Sequence, residues 1–390
     1  MTVPSLAEFR SLAKSGKLVP VYRELFADQD TPVSAFRKVD DGSYAFLLES
    51  VEGGEKWGRF SLLGCRPSLI FTARGDQCEI RQGDQVRKGT KHPLEEFADL
   101  LHEHQAIALP GLPRFCGGAV GYFGYDSVRW FERVPGSARN DQQLPDAVFM
   151  FGDVVSVFDN LAHTLKVVTH ARGGSDPDAA YRAAVARIDA EVERLSRALP
   201  WSKPHSGKEP PEPDSTASRE KYMKAVEVAK EHIRAGDIFQ VVLSHRMSSP
   251  VAQPAFEAYR ALRVTNPSPY LYFLRLGDLS LVGSSPEALV RRTDSVVEVR
   301  PIAGTRPRGR SPEEDRQLEA ELRASAKECA AHVVAPQVHE HDVLGALLGA
   351  GAQLGLELAV LVRTAAARAG AGDRPHLDHA VGAAHQRLGR

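Results

Sequence analysis

The stretch from Leu279 to Arg310 carries residue types suited to binding a small carboxylate. Gly304, Thr305 and Gly309 leave backbone amides and a hydroxyl accessible. The same loop supplies four cations with no acid among them, namely Arg300, Arg306, Arg308 and Arg310. Amides, a hydroxyl and planar guanidinium groups together bind carboxylates well. The spacing also fits a solvated basic loop between a strand and a helix, so the pattern alone leaves both interpretations open.

Short elements on either side are predicted to position this loop. Leu279 to Gly283 is apolar and strand-like, and Val296 to Ile302 alternates apolar and charged residues as a half-buried strand does. Between them, Ser285 is predicted to cap a helical turn whose first residue is Pro286. After the loop, Ser311 to Glu314 forms a capping box that begins another helix.

A second set of candidate binding residues lies far apart in the sequence. Glu49 and Ser50 end a predicted strand, and a carboxylate beside a hydroxyl suits an ammonium group. Asn266 to Phe273 contains two prolines two residues apart, which exclude a helix and fix an extended entry to a strand. The alternatives are a solvated acid with a turn serine in the first case, and a rigid loop with one core tyrosine in the second.

The composition excludes several classes of protein. The chain has 390 residues, 43% of them hydrophobic, and a net charge of −1, so no overall field favours nucleic acid or a membrane surface. Four scattered cysteines without a CxxC argue against a disulfide framework and favour a reducing compartment. No signal peptide is visible, and polar residues interrupt the apolar run Val343 to Val362. We therefore expect a cytoplasmic protein without a membrane span.

The order of elements predicts an α+β fold. Strands and helices fill residues 1–200, the Pro-rich stretch 201–217 reads as a linker, and a second domain covers residues 218–332, followed by a divergent tail at 333–390. In the second domain Ile238 to Leu243 is predicted to be a buried strand. The glycine-rich run Phe115 to Asp126 lacks a phosphate-binding motif, which favours close backbone packing.

Four motifs together resemble the chorismate-utilising enzymes, and most closely the large subunit of anthranilate synthase. They are LLES at 47–50, GDIFQVVLS at 236–244, GSSPE at 283–287 and PIAGTRPRG at 301–309. The resemblance implies two facing antiparallel sheets with helices outside. It also implies conversion of chorismate and ammonia to anthranilate and pyruvate, ammonia from a glutamine amidotransferase subunit, and feedback inhibition by L-tryptophan.

The resemblance assigns roles to particular residues. It places Gly304 and Thr305 against chorismate, and it implies a tryptophan site formed by Glu49, Ser50, Pro269, Tyr270 and Leu271. The related aminodeoxychorismate synthase carries a nucleophilic lysine where this chain has Ala303, so that enzyme is the disfavoured alternative.

The resemblance weakens toward the end of the chain. The family's helix offers two glutamates to Mg²⁺, whereas this chain has Glu328 and then Ala331 at the second position. The family's acid–base histidine motif is not found, so no catalytic residue is named. A third hypothesis is therefore a truncated, catalytically dead remnant that binds only tryptophan or a partner.

Overall fold

The computed structural model describes residues 2–50, 59–134, 136, 140–199, 211–238, 241–251, 253–286, 288, 290–293, 296–298, 307–324 and 358–363. The strands are β1 Thr2–Val3, β2 Val19–Phe26, β3 Tyr44–Glu49, β4 Phe60–Cys65, β5 Leu69–Arg74, β6 Gln77–Gln82, β7 Gln85–Lys88, β8 Ala119–Phe123, β9 Ala147–Phe151, β10 Val154–Asp159, β11 Thr164–Ala171, β12 Asp214–Ser215, β13 Met247–Ser248, β14 Tyr270–Leu276, β15 Leu279–Ser285, β16 Arg291–Thr293, β17 Val296–Glu298 and β18 Leu358–Arg363. The helices are α1 Leu6–Leu12, α2 Pro32–Val39, α3 Pro93–Glu103, α4 Pro177–Leu195, α5 Arg219–Ala235, α6 Ala255–Thr265 and α7 Pro312–Ala324.

Two antiparallel sheets form the framework. The larger has nine strands in the order β1-β2-β11-β10-β4-β3-β14-β15-β18, and the smaller has five in the order β7-β6-β5-β9-β8. In the larger sheet β14, from beyond the predicted linker, pairs directly with β3, and Leu271 lies opposite Glu49. The two halves of the sequence therefore share one sheet. The domain boundaries stay a prediction, and residues 200–210 lie outside the described part of the chain.

The core has three layers of side chains, set by the alternation of residues along each strand. On one face of the nine-stranded sheet, Leu47 and Phe273 pack with Phe36 of α2 and Tyr259 of α6. The opposite face meets the five-stranded sheet, with a shared cluster that includes Phe46, Leu274, Val120 and Met150. The outer face of the smaller sheet is covered by Phe97 and Leu100 of α3. This confirms the α+β arrangement of facing antiparallel sheets with helices outside.

Local signals in the sequence set the ends of several helices. Gly236 ends α5 with a left-handed φ of 82°, a conformation in which glycine has no side-chain clash. Ser311 accepts a hydrogen bond from the Glu314 amide at 3.2 Å and so caps α7. The predicted helical turn after Ser285 is wrong over its described residues, because residues 286, 288 and 290 are not helical. Ser285 is instead the last residue of β15 and pairs with Tyr270.

The predicted buried strand at Ile238 to Leu243 is also wrong over its described residues. Residues 241–246 have no strand structure, and Val241 and Val242 are 41% and 50% exposed. A strand needs a neighbour to satisfy its backbone groups, and the described residues supply none here. Among the helices that the structure describes, none combines the length and hydropathy needed to span a bilayer. Part of the apolar run before Val362 is strand β18, which pairs with β15.

Candidate ligand-binding site

A cavity of about 980 Å³ lies between the two sheets. This volume is at the upper end of the range for pockets that bind small molecules, about 300–1,000 Å³. Its polar rim is formed by Glu49, Ser50, Tyr270 and Arg291. The remaining walls are largely apolar and include Leu48, Phe60, Leu62, Phe115, Tyr122, Phe123, Phe149, Tyr272, Leu274 and Leu281. Such walls suit a flat apolar group, and the rim suits a charged one.

The two sequence segments predicted to bind tryptophan meet at this cavity. All five predicted residues, Glu49, Ser50, Pro269, Tyr270 and Leu271, line it. Their approach follows from the antiparallel pairing of β3 with β14, which sets Leu271 opposite Glu49. The geometry unites the residues, while their role with tryptophan stays a prediction.

The hydroxyl of Ser50 is buried without a hydrogen-bond partner among the described residues. An unsatisfied buried hydroxyl costs about 1–3 kcal/mol, and most such groups in proteins find a partner. Because Ser50 lines the cavity, a bound molecule can supply that partner.

The carboxylate of Glu49 is not solvated, which excludes the solvated-acid interpretation. The residue is 4% exposed. The Tyr259 hydroxyl donates to its Oε2 at 2.5 Å, and Arg263 donates through Nε to Oε2 at 2.9 Å and through Nη2 to Oε1 at 3.2 Å. Burial, the Glu49 charge and this hydrogen bond raise the pKa of Tyr259, so its hydroxyl stays a donor. Burial opposes the charge on Arg263, but Glu49 outweighs it and raises the pKa of the guanidinium.

Arg291 supplies a positive group to the cavity, and its Nη2 lies 3.5 Å from the Tyr270 hydroxyl. Sequence reasoning missed Arg291, which lies between two matched motifs without belonging to either. It also missed Tyr259 and Arg263, which are four residues apart and therefore lie on one face of α6.

The glycine-rich run forms a wall of the cavity by close backbone packing, as predicted. An ideal Cβ on Gly121 in β8 would lie 1.9 Å from the Val148 carbonyl oxygen of β9. A Cβ on Gly117 would lie 2.1 Å from Cε1 of His170. Only glycine allows these approaches.

The predicted chorismate residues Gly304 and Thr305 lie outside the described part of the chain, as do Glu328 and Ala331. At the described end of that loop, Arg308 and the Gly309 amide donate to Asp315 of α7, each at 2.7 Å. An acid from the next helix therefore neutralises one of the predicted cations. Within the described residues no group of three or more metal-ligating side chains occurs, so no donor set tests the magnesium prediction.

The sequence matches a known protein family over most of its length. The profile of the chorismate binding enzymes matches residues 16–344. The chain is 41% identical over 351 residues to "Anthranilate synthase component 1" of Acetivibrio thermocellus, covering 88% of this chain and 71% of that protein. It is 42% identical over 350 residues to the protein of the same name from Pseudomonas putida, covering 86% and 70%.

The fold is also similar to a solved structure. The crystal structure of anthranilate synthase component I from Streptococcus pneumoniae TIGR4 aligns with a TM-score of 0.55 and 28% identity. The alignment covers 80% of this chain and 66% of that one. The chain thus spans about two thirds of this relative's length, and somewhat more of the two named above.

Proposed function

The chain belongs to the chorismate binding enzyme family, and we propose that it is the large subunit of an anthranilate synthase, which converts chorismate and ammonia to anthranilate and pyruvate. The observation that carries the proposal is the identity of about 40% to proteins of that name over nearly nine tenths of the chain. The reaction adds ammonia to ring carbon 2 of chorismate while the ring hydroxyl leaves as water, and it then eliminates the enolpyruvyl group as pyruvate, which makes the ring aromatic. The basic loop around Gly304 and Thr305 holds the carboxylates of the ring substrate.

The attacking nitrogen comes from free ammonia. Ala303 has no nucleophilic group, whereas the related aminodeoxychorismate synthase uses a lysine at this position. The sequence therefore favours anthranilate formation over that alternative.

Ammonia is delivered by a separate glutamine amidotransferase subunit. A glutaminase of that kind uses a reactive cysteine, and reactive thiols have a lowered pKa. The cysteine thiols in the described residues have raised pKa values instead. Burial raises the pKa of Cys65 and Cys78 and brings that of Cys116 to about 11. These thiols fit structural positions, in support of a partner that does the glutamine chemistry.

Tryptophan inhibits the enzyme from the cavity between the sheets. Its indole ring lies against the apolar walls, and its amino group meets Glu49 and Ser50 at the rim. The closely paired segments of β3 and β14 carry both sets of contacts, so occupation of the cavity favours one arrangement of the two halves of the sequence.

The enzyme requires Mg²⁺. The ion, when bound, orients the ring carboxylate of chorismate and neutralises its charge. Glu328 is the one predicted ligand in this chain, with Ala331 at the position of the family's second glutamate.

The test is a fluorescence assay of anthranilate formation from chorismate, ammonium and Mg²⁺, with and without tryptophan. We expect turnover that tryptophan inhibits and that EDTA abolishes. Tryptophan binding without turnover would instead support the binding-only protein, for which Ala331 is the sequence reason. Replacement of Ser50 by Ala should raise the half-inhibitory tryptophan concentration about 3- to 10-fold, the effect of one lost hydrogen bond. The exposed Ser43→Ala is the matched control and should not change it.

A further inference from the structure

We propose that Arg263 and Tyr259 of α6 are positioning residues that hold the Glu49 carboxylate for the amino group of an α-amino acid bound in the cavity. The inference rests on the proposed tryptophan site and adds to it the residues that make Glu49 competent. Neither side chain lines the cavity, so both act through Glu49.

The carboxylate of Glu49 has room for one more hydrogen-bond donor. A carboxylate offers about four lone-pair positions, two on each oxygen. Oε2 accepts from the Tyr259 hydroxyl and from Arg263 Nε, and Oε1 accepts from Arg263 Nη2. Three positions are thus used by described residues, and the fourth belongs to Oε1. One N–H of a ligand ammonium group can complete the set.

Glu49 lies where the cavity and helix α6 meet. The neighbouring residues Leu47 and Leu271 belong to the cluster that packs under the helices, whereas Leu48 belongs to the cluster between the sheets. Glu49, at the end of β3, both lines the cavity and contacts α6. The contact with α6 therefore fixes one orientation of the carboxylate of a residue that lies at the boundary between the helix side and the cavity.

Arg263 places a positive charge beside the buried carboxylate of Glu49. Burial of a carboxyl group favours its neutral form unless a cation lies beside it. Arg263 is that cation, and its guanidinium contacts both carboxylate oxygens. Loss of Arg263 removes the cation that fixes both oxygens, so it should weaken the recognition of the amino group in particular.

The experiment compares two ligands by isothermal titration calorimetry on the full chain. L-tryptophan has the amino group, and indole-3-propionate has the same ring and carboxylate without it. In Arg263→Met we expect the dissociation constant for tryptophan to rise about 10-fold or more, the effect of losing charged hydrogen bonds, with that for indole-3-propionate unchanged. Arg260→Met is the matched control, because Arg260 lies on the same helix and pairs with Glu257 at 2.7 Å. It should change neither ligand.

Tyr259→Phe provides a second variant, since it removes one hydrogen bond and retains the ring. It should weaken tryptophan about 3- to 10-fold and leave indole-3-propionate unchanged. An equal loss for both ligands in either variant would show a merely structural role, and tighter tryptophan binding in Arg263→Met would show that Arg263 competes with the ligand; both results overturn the proposal. If the wild type binds neither ligand, the tryptophan site itself fails and the inference fails with it. If the wild type binds tryptophan and the variants match it, the site stands and only the inference is wrong.

Discussion

Two segments with similar apolar sequence patterns have opposite environments in the structure, one buried and one exposed. Tyr44–Glu49 and residues 238–243 are both short apolar runs, both belong to segments that match the same family, and both were predicted to be strands. The first is strand β3, bonded to β4 on one side and β14 on the other. In the second, residues 241–243 have no strand structure, and Val241 and Val242 are exposed.

The difference lies in what surrounds each segment. Ala45 and Leu47 are fully buried under helices on one face of β3, and Phe46 is buried against the second sheet on the other. Burial on both faces stabilises a strand because each side chain is removed from water and each backbone group is paired. An apolar run is therefore buried only where neighbouring strands and covering side chains are present, and the run's own sequence does not indicate whether they are.

The largest expected effect tests the buried side of this comparison. Phe273 of β14 is 0% exposed and packs edge-on against Phe36 and Phe256 at 5.5 and 5.1 Å between ring centroids. Phe273→Ala should lower the free energy of unfolding by about 3–5 kcal/mol, since it leaves a cavity in the core. Urea denaturation measures this. Phe26→Ala is the matched control in the same sheet, because Phe26 is 91% exposed and its loss should be small.

The next effect concerns acid stability of the packed sheets. Burial, with Arg187 and His104 adding to it, lowers the pKa of His170 from 6.5 to about 4. The unfolded chain therefore binds the proton first, so the stabilisation is complete above pH 6.5 and is lost as the pH falls toward 4, by about 3 kcal/mol in the limit. Unfolding by urea at pH 7.5 and 4.5 should show a smaller loss in His170→Asn than in the wild type. An identical loss in both would contradict the assignment.

A smaller effect probes the glycine-rich wall. Gly121→Ala should destabilise the protein by about 1–3 kcal/mol, because the new methyl group meets the backbone of β9 and must push the two strands apart. Gly124→Ala is the matched control, since its nearest neighbour would lie at an ordinary 3.4 Å and its φ is −75°. Equal unfolding free energies for the two variants would show that the strands separate without cost.

Much of the fold follows from local signals in the sequence. The predicted helix start at Ser311 is confirmed, and Pro93 and Gly236 begin and end helices in the same local way, because caps and prolines act through the few residues beside them. Ser285 fails for the opposite reason, since its pairing with Tyr270 is a contact between separate segments. At Ser285 the backbone pairs in a sheet, and no helix follows in the described residues despite the sequence signal for a cap.

The candidate site divides in the same way. Glu49, Ser50 and the segment around Tyr270 were found through a resemblance, which carries tertiary information that residue patterns do not. Arg263 and Glu49 are 214 residues apart in the sequence, so no local sequence pattern predicts the hydrogen bond between them. Such a contact follows from how α6 packs on the sheet, so it becomes visible only in three dimensions.

The smallest expected effect tests the exposed side of the comparison. Val242→Asp should change the free energy of unfolding by less than about 0.5 kcal/mol, because the side chain is half exposed and a charge there stays in water. The same substitution at Val282, which is 0% exposed in β15, places a carboxylate in the core and should prevent stable folding. Urea denaturation of both variants measures the contrast. A large loss at Val242 would mean that this segment is buried in the protein in solution, and the two apolar runs would then be alike after all.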